Sequence, residues 1–128
     1  MILNTDGTKP IYVQIAEWIE REILQGDFKP DDKVYSQYQL ADMFNINPAT
    51  AGKGLTMLVD EQILYKKRGL GMFVSDEAHN MIRHKRINHT LKKLVQEIVE
   101  EAAHLQVGEK ELFTMIQEAG GNREGGEG

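Results

Sequence analysis

The sequence contains no cysteine, no long apolar run and no signal-peptide pattern, and each absence excludes something. Without cysteine there is no disulfide framework, no thiolate nucleophile and no cysteine-ligated zinc site. No apolar run approaches the roughly 18 residues that a membrane-spanning helix requires. The opening residues, MILNTDGTKP, lack the basic start and apolar stretch of a secretory signal. These absences predict a cytoplasmic protein with no membrane partner.

Catalytic and metal-binding patterns are also missing. The segment GLG at residues 69–71 is not the start of a phosphate-binding loop, because no helix follows it. His79, His84 and His89 are spaced by five, which does not bring imidazoles side by side on a helix. We therefore expect these residues and His104 to be solvated helix residues. The sequence predicts no enzyme activity, no cofactor and no metal.

The net charge of −5 argues mildly against a nucleic-acid partner, but the charges are unevenly distributed. From residue 94 to the end there are eight glutamates against two basic residues. Basic residues concentrate instead at Lys66–Arg68 and between Arg83 and Lys93, where no acidic residue occurs. Overall acidity therefore does not exclude DNA binding. The second basic cluster suits either phosphate contact or the solubility of a long helix.

The first predicted helix covers residues 10–25. Isoleucines recur every four residues from Ile11 to Ile23, and Trp18 widens this apolar stripe. Trp18 is therefore interpreted as a core residue, with the edge of a small ligand pocket as the alternative. A loop that contains glycine and proline follows over residues 26–34.

Two further helices are predicted close together. Ser36 followed by Gln39 matches a capping box, which starts a helix over residues 37–44. Asn47 is a good N-cap for a third helix, which runs to about residue 61. The few residues between these helices predict a tight turn.

A β-hairpin is predicted after the third helix. Residues 63–67 have the pattern of one strand, residues 68–71 that of a turn, and residues 72–74 that of the returning strand. The order helix, helix, turn, helix, hairpin is that of a winged helix-turn-helix. The predicted fold class is mainly α with a small β-hairpin, and residues 1–75 form the predicted DNA-binding domain.

The rest of the sequence predicts a helical dimerisation arm over residues 76–119. Residues 76–106 contain no proline or glycine, and their apolar positions form a narrow heptad seam of the kind used against a partner helix. A short last helix is predicted over residues 109–119, and the glycine-rich residues 120–128 are predicted to be disordered. The predicted dimer interface consists of Ile87, Leu91, Leu94, Ile98, Leu105, Phe113 and Ile116.

Two segments of the chain carry a family resemblance, PIYVQIAEWIEREILQGDFKPDDKV and SQYQLADMFNINPATAGKGLTMLVDEQILYKKRGLGMFV. In their order, loop lengths and wing glycines they resemble the DNA-binding domain of GntR-family transcriptional regulators. The short remainder resembles the YtrA-like subfamily, in which a two-helix tail replaces a large effector-binding domain and serves for dimerisation. The resemblance implies a homodimeric repressor of a transporter-type operon, bound to an inverted-repeat operator in double-stranded DNA. A small-molecule effector is compatible with it but is not identified.

Three positions depart from the usual pattern of that family. Tyr35 stands where proline is common, Tyr38 where arginine is common, and Gly52 where many relatives have an arginine that reaches DNA. The two missing arginines leave the operator sequence open, whereas DNA binding as such is retained. Tyr38 has two interpretations, a phosphate contact through its hydroxyl or a core aromatic.

Gly52 and Gly54 both lie in the third helix, where each glycine costs roughly 1 kcal/mol against alanine. Gly52 either admits close approach to DNA in the major groove or simply allows close helix packing. Gly54 falls on a different side and predicts tight packing of the third helix on the second.

The winged-helix order assigns roles to the polar residues. Recognition helices contact base edges with their N-terminal end, where Thr50 and Lys53 lie three residues apart. The second helix is expected to cross the phosphate backbone, and the wing to enter the minor groove. The rival interpretation is a winged-helix protein-interaction module without operator binding. The predicted DNA-binding residues are Ser36, Gln37, Tyr38, Asn47, Thr50, Gly52, Lys53, Lys67, Arg68 and Gly69.

Overall fold

The computed structural model describes residues 3–124, with side chains described as far as residue 121. Its elements are α1 (Ile11–Leu24), α2 (Gln37–Phe44), α3 (Pro48–Asp60), β1 (Leu64–Lys67), β2 (Gly71–Val74), α4 (Ala78–Lys85), a π-helical segment (Arg86–Leu91), α5 (Lys92–His104) and α6 (Glu109–Glu124). The chain divides into two compact units between Lys85 and Arg86. The predicted fold class, mainly α with a small β-hairpin, is confirmed.

The core of the first unit lies between α1, α2, α3, α4 and the hairpin. The isoleucine stripe of α1 is buried from Ile15 to Ile23, as its four-residue repeat predicts. Leu40 of α2 and Leu58 of α3 are fully buried beside it. Each such side chain contributes about 1.5–3 kcal/mol when it leaves water. This core holds α2 and α3 in place, so their polar faces point outward.

Capping residues determine where α2 and α3 begin. The Oγ of Ser36 accepts the N–H of Gln39 at 3.1 Å, and Oε1 of Gln39 accepts the N–H of Ser36 at 2.8 Å, so the capping box is confirmed. Asn45 ends α2 in the left-handed conformation, with φ 55°, which asparagine tolerates better than most residues. Asn47 begins α3, because its Oδ1 accepts the N–H of Ala49 at 2.7 Å.

The hairpin is joined by the loop that precedes α2. β1 and β2 pair antiparallel, with Tyr65 opposite Phe73. Lys33 forms a bridge with Phe73, and the N–H of Val34 donates to the carbonyl of Met72 at 3.0 Å. These hydrogen bonds attach the start of α2 to the hairpin, so the two elements border one surface.

The helix α4 belongs to the first unit. Its Ala78 and Ile82 are buried in the core of that unit, where α4 packs against α1. The predicted domain boundary after residue 75 is therefore too early, and the second unit begins at Arg86. The sequence periodicity marks α4 as helical but does not specify which element covers its apolar side.

A π-helical segment interrupts the single long helix that residues 76–106 predict. Hydrogen bonds from residue i to i+5 widen this turn, so Ile87 and Leu91 within it do not continue the regular spacing of α5. Ile87 and Leu91 lie in the π-helical segment, whereas Leu94 and Ile98 lie in α5. The sequence has no proline or glycine there to mark the change.

The last helix is longer than predicted. Residues 120–124, predicted as part of a disordered tail, continue α6 to Glu124. Gly120 and Gly121 each cost about 1 kcal/mol, which does not end a helix that gains one hydrogen bond for each added residue. Residues 125–128 of that prediction lie outside the described part of the chain.

Candidate nucleic-acid interface

The outward face of α3 is the centre of the candidate interface. Ala49, Lys53, Thr56 and Asp60 are exposed and step by four, three and four, so they share one helix face. Thr50 is half-buried at the edge of that face. The sequence prediction included Lys53 and Thr50 but missed Thr56. The three-residue spacing from Lys53 was the signal that would have found it.

Lys53 lies against α1. Its Nζ is 4.1 Å from the centroid of the Tyr12 ring, within the range of a cation–π interaction. Tyr12 was not among the predicted site residues. The isoleucine repeat of α1 does not include Tyr12, which directly follows Ile11 and lies outside that stripe, so the sequence pattern gave no reason to select it.

The two glycines of α3 face different neighbouring helices. A Cβ on Gly52 would lie 3.0 Å from Oε1 of Gln37 in α2. A Cβ on Gly54 would lie 2.8 Å from the backbone oxygen of Tyr12 and 3.3 Å from Ile15, both in α1. The predicted partner of Gly54, the second helix, is therefore wrong, since tight packing there is on α1. Gly52 packs beside Gln37, as the packing interpretation predicts.

The N-terminus of α3 has its backbone donors occupied. Pro48 has no N–H, and the N–H of Ala49 donates to the Asn47 side chain. The N–H groups of Thr50 and Ala51 both donate to the Asn47 carbonyl, at 3.0 and 3.2 Å. Asn47 thus acts as the cap of α3. An anion approaching this end meets side chains rather than free N–H groups.

The N-terminus of α2 is more open to an anion. The N–H groups of Gln37 and Tyr38 are the first two of the helix and have no intrahelical acceptor. They add to the positive end of the helix dipole, which favours a phosphate. Tyr38 is 68% exposed, so the core interpretation of this residue is wrong. Ser36 is also exposed, although its Oγ is already used in the capping box.

The outer face of the hairpin holds Lys67 over two aromatic rings. Its Nζ lies 4.7 Å from the Phe73 ring centroid and 5.8 Å from that of Tyr65. These two rings stack on each other at 5.8 Å. Arg68 and Gly69 form the exposed tip beyond Lys67. The three predicted wing residues are therefore all accessible.

A cleft of about 180 Å³ separates the start of α2 from the inner face of the hairpin. Lys66 points to this face, opposite to Lys67, because successive strand residues alternate. Lys33 reaches it across Gly71, where a Cβ would meet the Lys33 side chain at 2.9 Å. Lys33 and Lys66 were absent from the predicted site. Strand alternation in the sequence could have placed Lys66 on this face. No local signal places Lys33 there, because its position depends on the bridge to Phe73.

A hydrogen bond secures the outer side of the same hairpin. The hydroxyl of Tyr65 donates to Oδ1 of Asp31 at 2.5 Å. This hydrogen bond raises the pKa of Tyr65, with smaller contributions from desolvation and from the charge of Asp31. The phenol is therefore a neutral donor at physiological pH.

Lys85 is part of the scaffold rather than of a phosphate-binding face. Its Nζ pairs with the carboxylates of Glu20 and Glu61, the latter at 2.8 Å. Partial burial opposes the charge of Lys85, but the hydrogen bonds to Glu20 and Glu61 and their charges raise its pKa. Lys85 belongs to the basic cluster from Arg83 to Lys93, for which the sequence suggested phosphate contact or the solubility of a long helix. Its structural role is neither of these.

Trp18 packs as an aromatic side chain at the edge of the core. Its ring lies 5.7 Å from that of Tyr35 and 5.0 Å from that of Phe44. This packing supports the core interpretation of Trp18.

Among the described residues, no three His, Asp or Glu side chains gather as a potential metal site. Within residues 3–124, no helix combines the length and apolarity needed to cross a bilayer.

The second unit carries an apolar groove between α5 and α6. Its volume is about 450 Å³, and Leu94, Ile98 and Leu105 of the predicted dimer seam line it. The other predicted seam residues are exposed but do not line the groove. These are Ile87, Leu91, Phe113 and Ile116. Within this unit, the described buried apolar residue is Ala102.

A model of bacterial regulatory proteins of the gntR family matches residues 11–74, which is half of the chain and runs from α1 through the hairpin. The chain belongs to the GntR family. The resemblance inferred from the sequence is confirmed, and the matched region contains the interface residues described above.

Two curated relatives show how much of the chain is shared. The transcriptional repressor NagR of Bacillus subtilis is 37% identical over 75 residues, which are 59% of this chain and 31% of NagR. The transcriptional repressor YtrA of Bacillus subtilis is 29% identical over 124 residues, which are 97% of this chain and 95% of YtrA. The chain thus spans about a third of NagR but matches YtrA nearly end to end. These relatives are transcriptional repressors rather than enzymes.

Solved structures support the same fold. A GntR family transcriptional regulator from Listeria monocytogenes has a TM-score of 0.73 at 26% identity, covering 88% of this chain and 97% of that one. AraR(DBD), solved in complex with operator ORX1, has a TM-score of 0.54 at 30% identity, covering 59% of this chain and 95% of its own. A domain similar to the first unit has thus been seen on operator DNA.

Proposed function

We propose that this protein is a homodimeric transcriptional repressor that binds an inverted-repeat operator in double-stranded DNA. The observation that carries this proposal is the exposed face of α3, the recognition helix of a GntR-family helix-turn-helix, which presents Lys53 and Thr56. In a helix-turn-helix, side chains toward the N-terminal end of this helix, here Lys53, reach base edges in the major groove. The similarity to AraR(DBD) on its operator supports the same use of the surface.

Backbone contacts come from the two elements that border α3. The open N-terminus of α2, with Tyr38, faces one phosphate, and the hairpin tip at Arg68 faces the minor groove. Lys33 and Lys66 add positive charge in the cleft between these elements. They supply cationic charge near Tyr38, where the family commonly has arginine.

The second unit joins two copies through its apolar groove. Leu94, Ile98 and Leu105 expose apolar surface that a second α5–α6 pair would cover. The proposed dimer surface also includes the exposed residues Ile87, Leu91, Phe113 and Ile116. Two recognition helices then meet major grooves one helical turn apart or a multiple of it.

The regulated genes are proposed by analogy with relatives. MngR of Escherichia coli, 36% identical over 74 residues, is named as the repressor of a transport and metabolism system. The name of MngR favours the transporter-type operon that the YtrA-like resemblance implies. A small-molecule effector is a further part of the proposal. Because the proposed partner is operator DNA, we also propose that the protein acts in the cytoplasm.

Selection of binding sites from a random duplex DNA pool at about physiological salt tests this function, since non-specific phosphate attraction is weak there. We expect an inverted repeat to be enriched, and its half-site spacing to report the dimer geometry. If folded, dimeric protein enriches no sequence, operator binding is wrong and the protein-interaction module gains support. Enrichment of single half-sites would instead contradict the dimeric mode of binding.

A further inference from the structure

Tyr12 contacts two consecutive residues of α3 from its place on α1. Its ring lies under the Nζ of Lys53, at 4.1 Å from the ring centroid. Its backbone oxygen lies where Gly54 leaves space, 2.8 Å from the position of a Cβ. The missing side chain at Gly54 thus allows the close approach of α1 that brings the ring to Lys53.

The charge of Lys53 is available to a ligand. Among the described residues, the lysines found in ion pairs are Lys9 and Lys85, and Lys53 is exposed. An aromatic ring attracts an ammonium group without neutralising it, unlike a carboxylate. The side of the Nζ that faces away from Tyr12 therefore retains its full positive charge and its N–H donors.

We propose that Tyr12 is a positioning residue for DNA recognition, holding the Lys53 ammonium where it donates to O6 and N7 of a guanine in one base pair. This inference rests on the proposed function, because it assumes that α3 enters the major groove. A guanine edge is the acceptor pair that lysine and arginine most often contact there. Tyr12 acts through Lys53 and determines specificity at that single base pair.

The physical reason lies in the length of the lysine side chain. A lysine with a free stem has many rotamers and finds a phosphate oxygen near almost any sequence. A lysine held against a ring presents its donors in one place, so a base pair without acceptors there leaves them unmatched. Losing the ring therefore reduces discrimination between bases more than it reduces overall affinity.

The test uses the full chain and the operator obtained by selection. Dissociation constants are measured for that operator and for a set of single base-pair variants covering each half-site. Tyr12→Leu removes the π face but keeps apolar bulk, and Tyr12→Phe keeps the ring as the matched control. We expect Tyr12→Leu to lower discrimination about two- to fivefold at one base pair, the size of an exposed cation–π interaction. Tyr12→Phe is expected to retain it.

Lys53→Met supplies the second measurement. It is expected to abolish discrimination at the same base pair, and adding Tyr12→Leu to it is expected to have no further effect there. A loss spread equally over all positions, together with a lowered melting temperature, would show a merely structural role and overturn the inference. Unchanged discrimination in Tyr12→Leu would overturn it as well. Failure of the wild-type protein to select any operator would overturn the proposed function itself, and this inference with it.

Discussion

At the scale of single residues, Gly54 is the position in α3 where a side chain has no room. Gly54→Ala places a Cβ 2.8 Å from the Tyr12 backbone oxygen, which cannot rotate away. The overpacking cost of about 1–3 kcal/mol exceeds the gain of about 1 kcal/mol in helix propensity. We expect urea unfolding to show a net destabilisation of about 1 kcal/mol.

Gly52→Ala is the matched comparison in the same helix. Its Cβ meets the far end of the flexible Gln37 side chain at 3.0 Å, which can move. The propensity gain then dominates, and we expect stabilisation of about 0.5–1 kcal/mol. Equal effects of the two substitutions would contradict the assignment of Gly54 to a backbone contact.

Lys85 is the residue whose charge stabilises the first unit from within. Glu20 is 2% exposed, so Lys85→Met leaves a buried carboxylate without this ammonium. Removing one partner of a buried pair costs about 3–5 kcal/mol, and the partial exposure of Lys85 reduces this to about 2–3 kcal/mol. Lys9→Met, which breaks the exposed pair with Glu17, is expected to cost less than about 1 kcal/mol.

The stability contributed by Lys85 also depends on pH. Its pKa is raised above the ordinary value of 10.5, so the folded state binds this proton more tightly than the unfolded state. The contribution is complete below pH 10.5 and is lost as the pH rises through the higher folded-state pKa. Urea titrations across that range should show a smaller loss in Lys85→Met than in wild type. A parallel loss in both proteins would contradict the ion-pair account.

At the scale of secondary-structure elements, the hairpin presents its lysines on opposite faces. Lys66 lines the cleft beside α2, so Lys66→Gln removes one proposed phosphate contact. We expect the slope of log K against log salt to fall in magnitude by about 0.9, with affinity lowered on every sequence alike. Fluorescence anisotropy on the selected operator measures this. Lys9 lies just before α1 and pairs with Glu17, so Lys9→Gln is the control expected to leave the slope unchanged.

At the scale of the whole molecule, the α5–α6 groove determines the proposed assembly. Ile98 is 43% exposed in a single chain and lines that groove, so Ile98→Glu places a charge in the proposed interface. We expect sedimentation equilibrium to show a monomer with a weakened affinity for the inverted repeat. Gln96→Glu adds the same charge on α5 outside the groove lining and should remain dimeric. A dimeric Ile98→Glu variant would place the interface elsewhere.

Local signals made much of the first unit predictable. The capping box at Ser36, the cap at Asn47 and the repeat from Ile11 to Ile23 act within one turn of chain, so α1, α2 and α3 lie where these signals place them. The exposed position of Lys53 followed from the same helix assignments, whereas the structure was needed to decide that Tyr38 is exposed. Helix spacing could also have predicted that Thr56 is exposed beside Lys53. Strand alternation could have predicted the side on which Lys66 lies.

The remaining features needed contacts between distant parts of the chain. Sequence spacing placed Gly54 on a packed side of α3 but did not show that the neighbour is α1. The burial of α4 and the position of Lys33 depend likewise on which elements meet in space. The π-helical segment gives no local signal, because no proline or glycine marks it.

The sequence by itself determined the elements of the winged helix-turn-helix and their order, because hydrogen bonds and caps that form within a few residues decide these. Only the tertiary structure decided that Tyr12 lies under Lys53, that Lys85 joins Glu20 and Glu61, and that α4 completes the first unit. These contacts join residues from different helices. Their geometry depends on how closely the helices pack, and a linear pattern does not encode that distance.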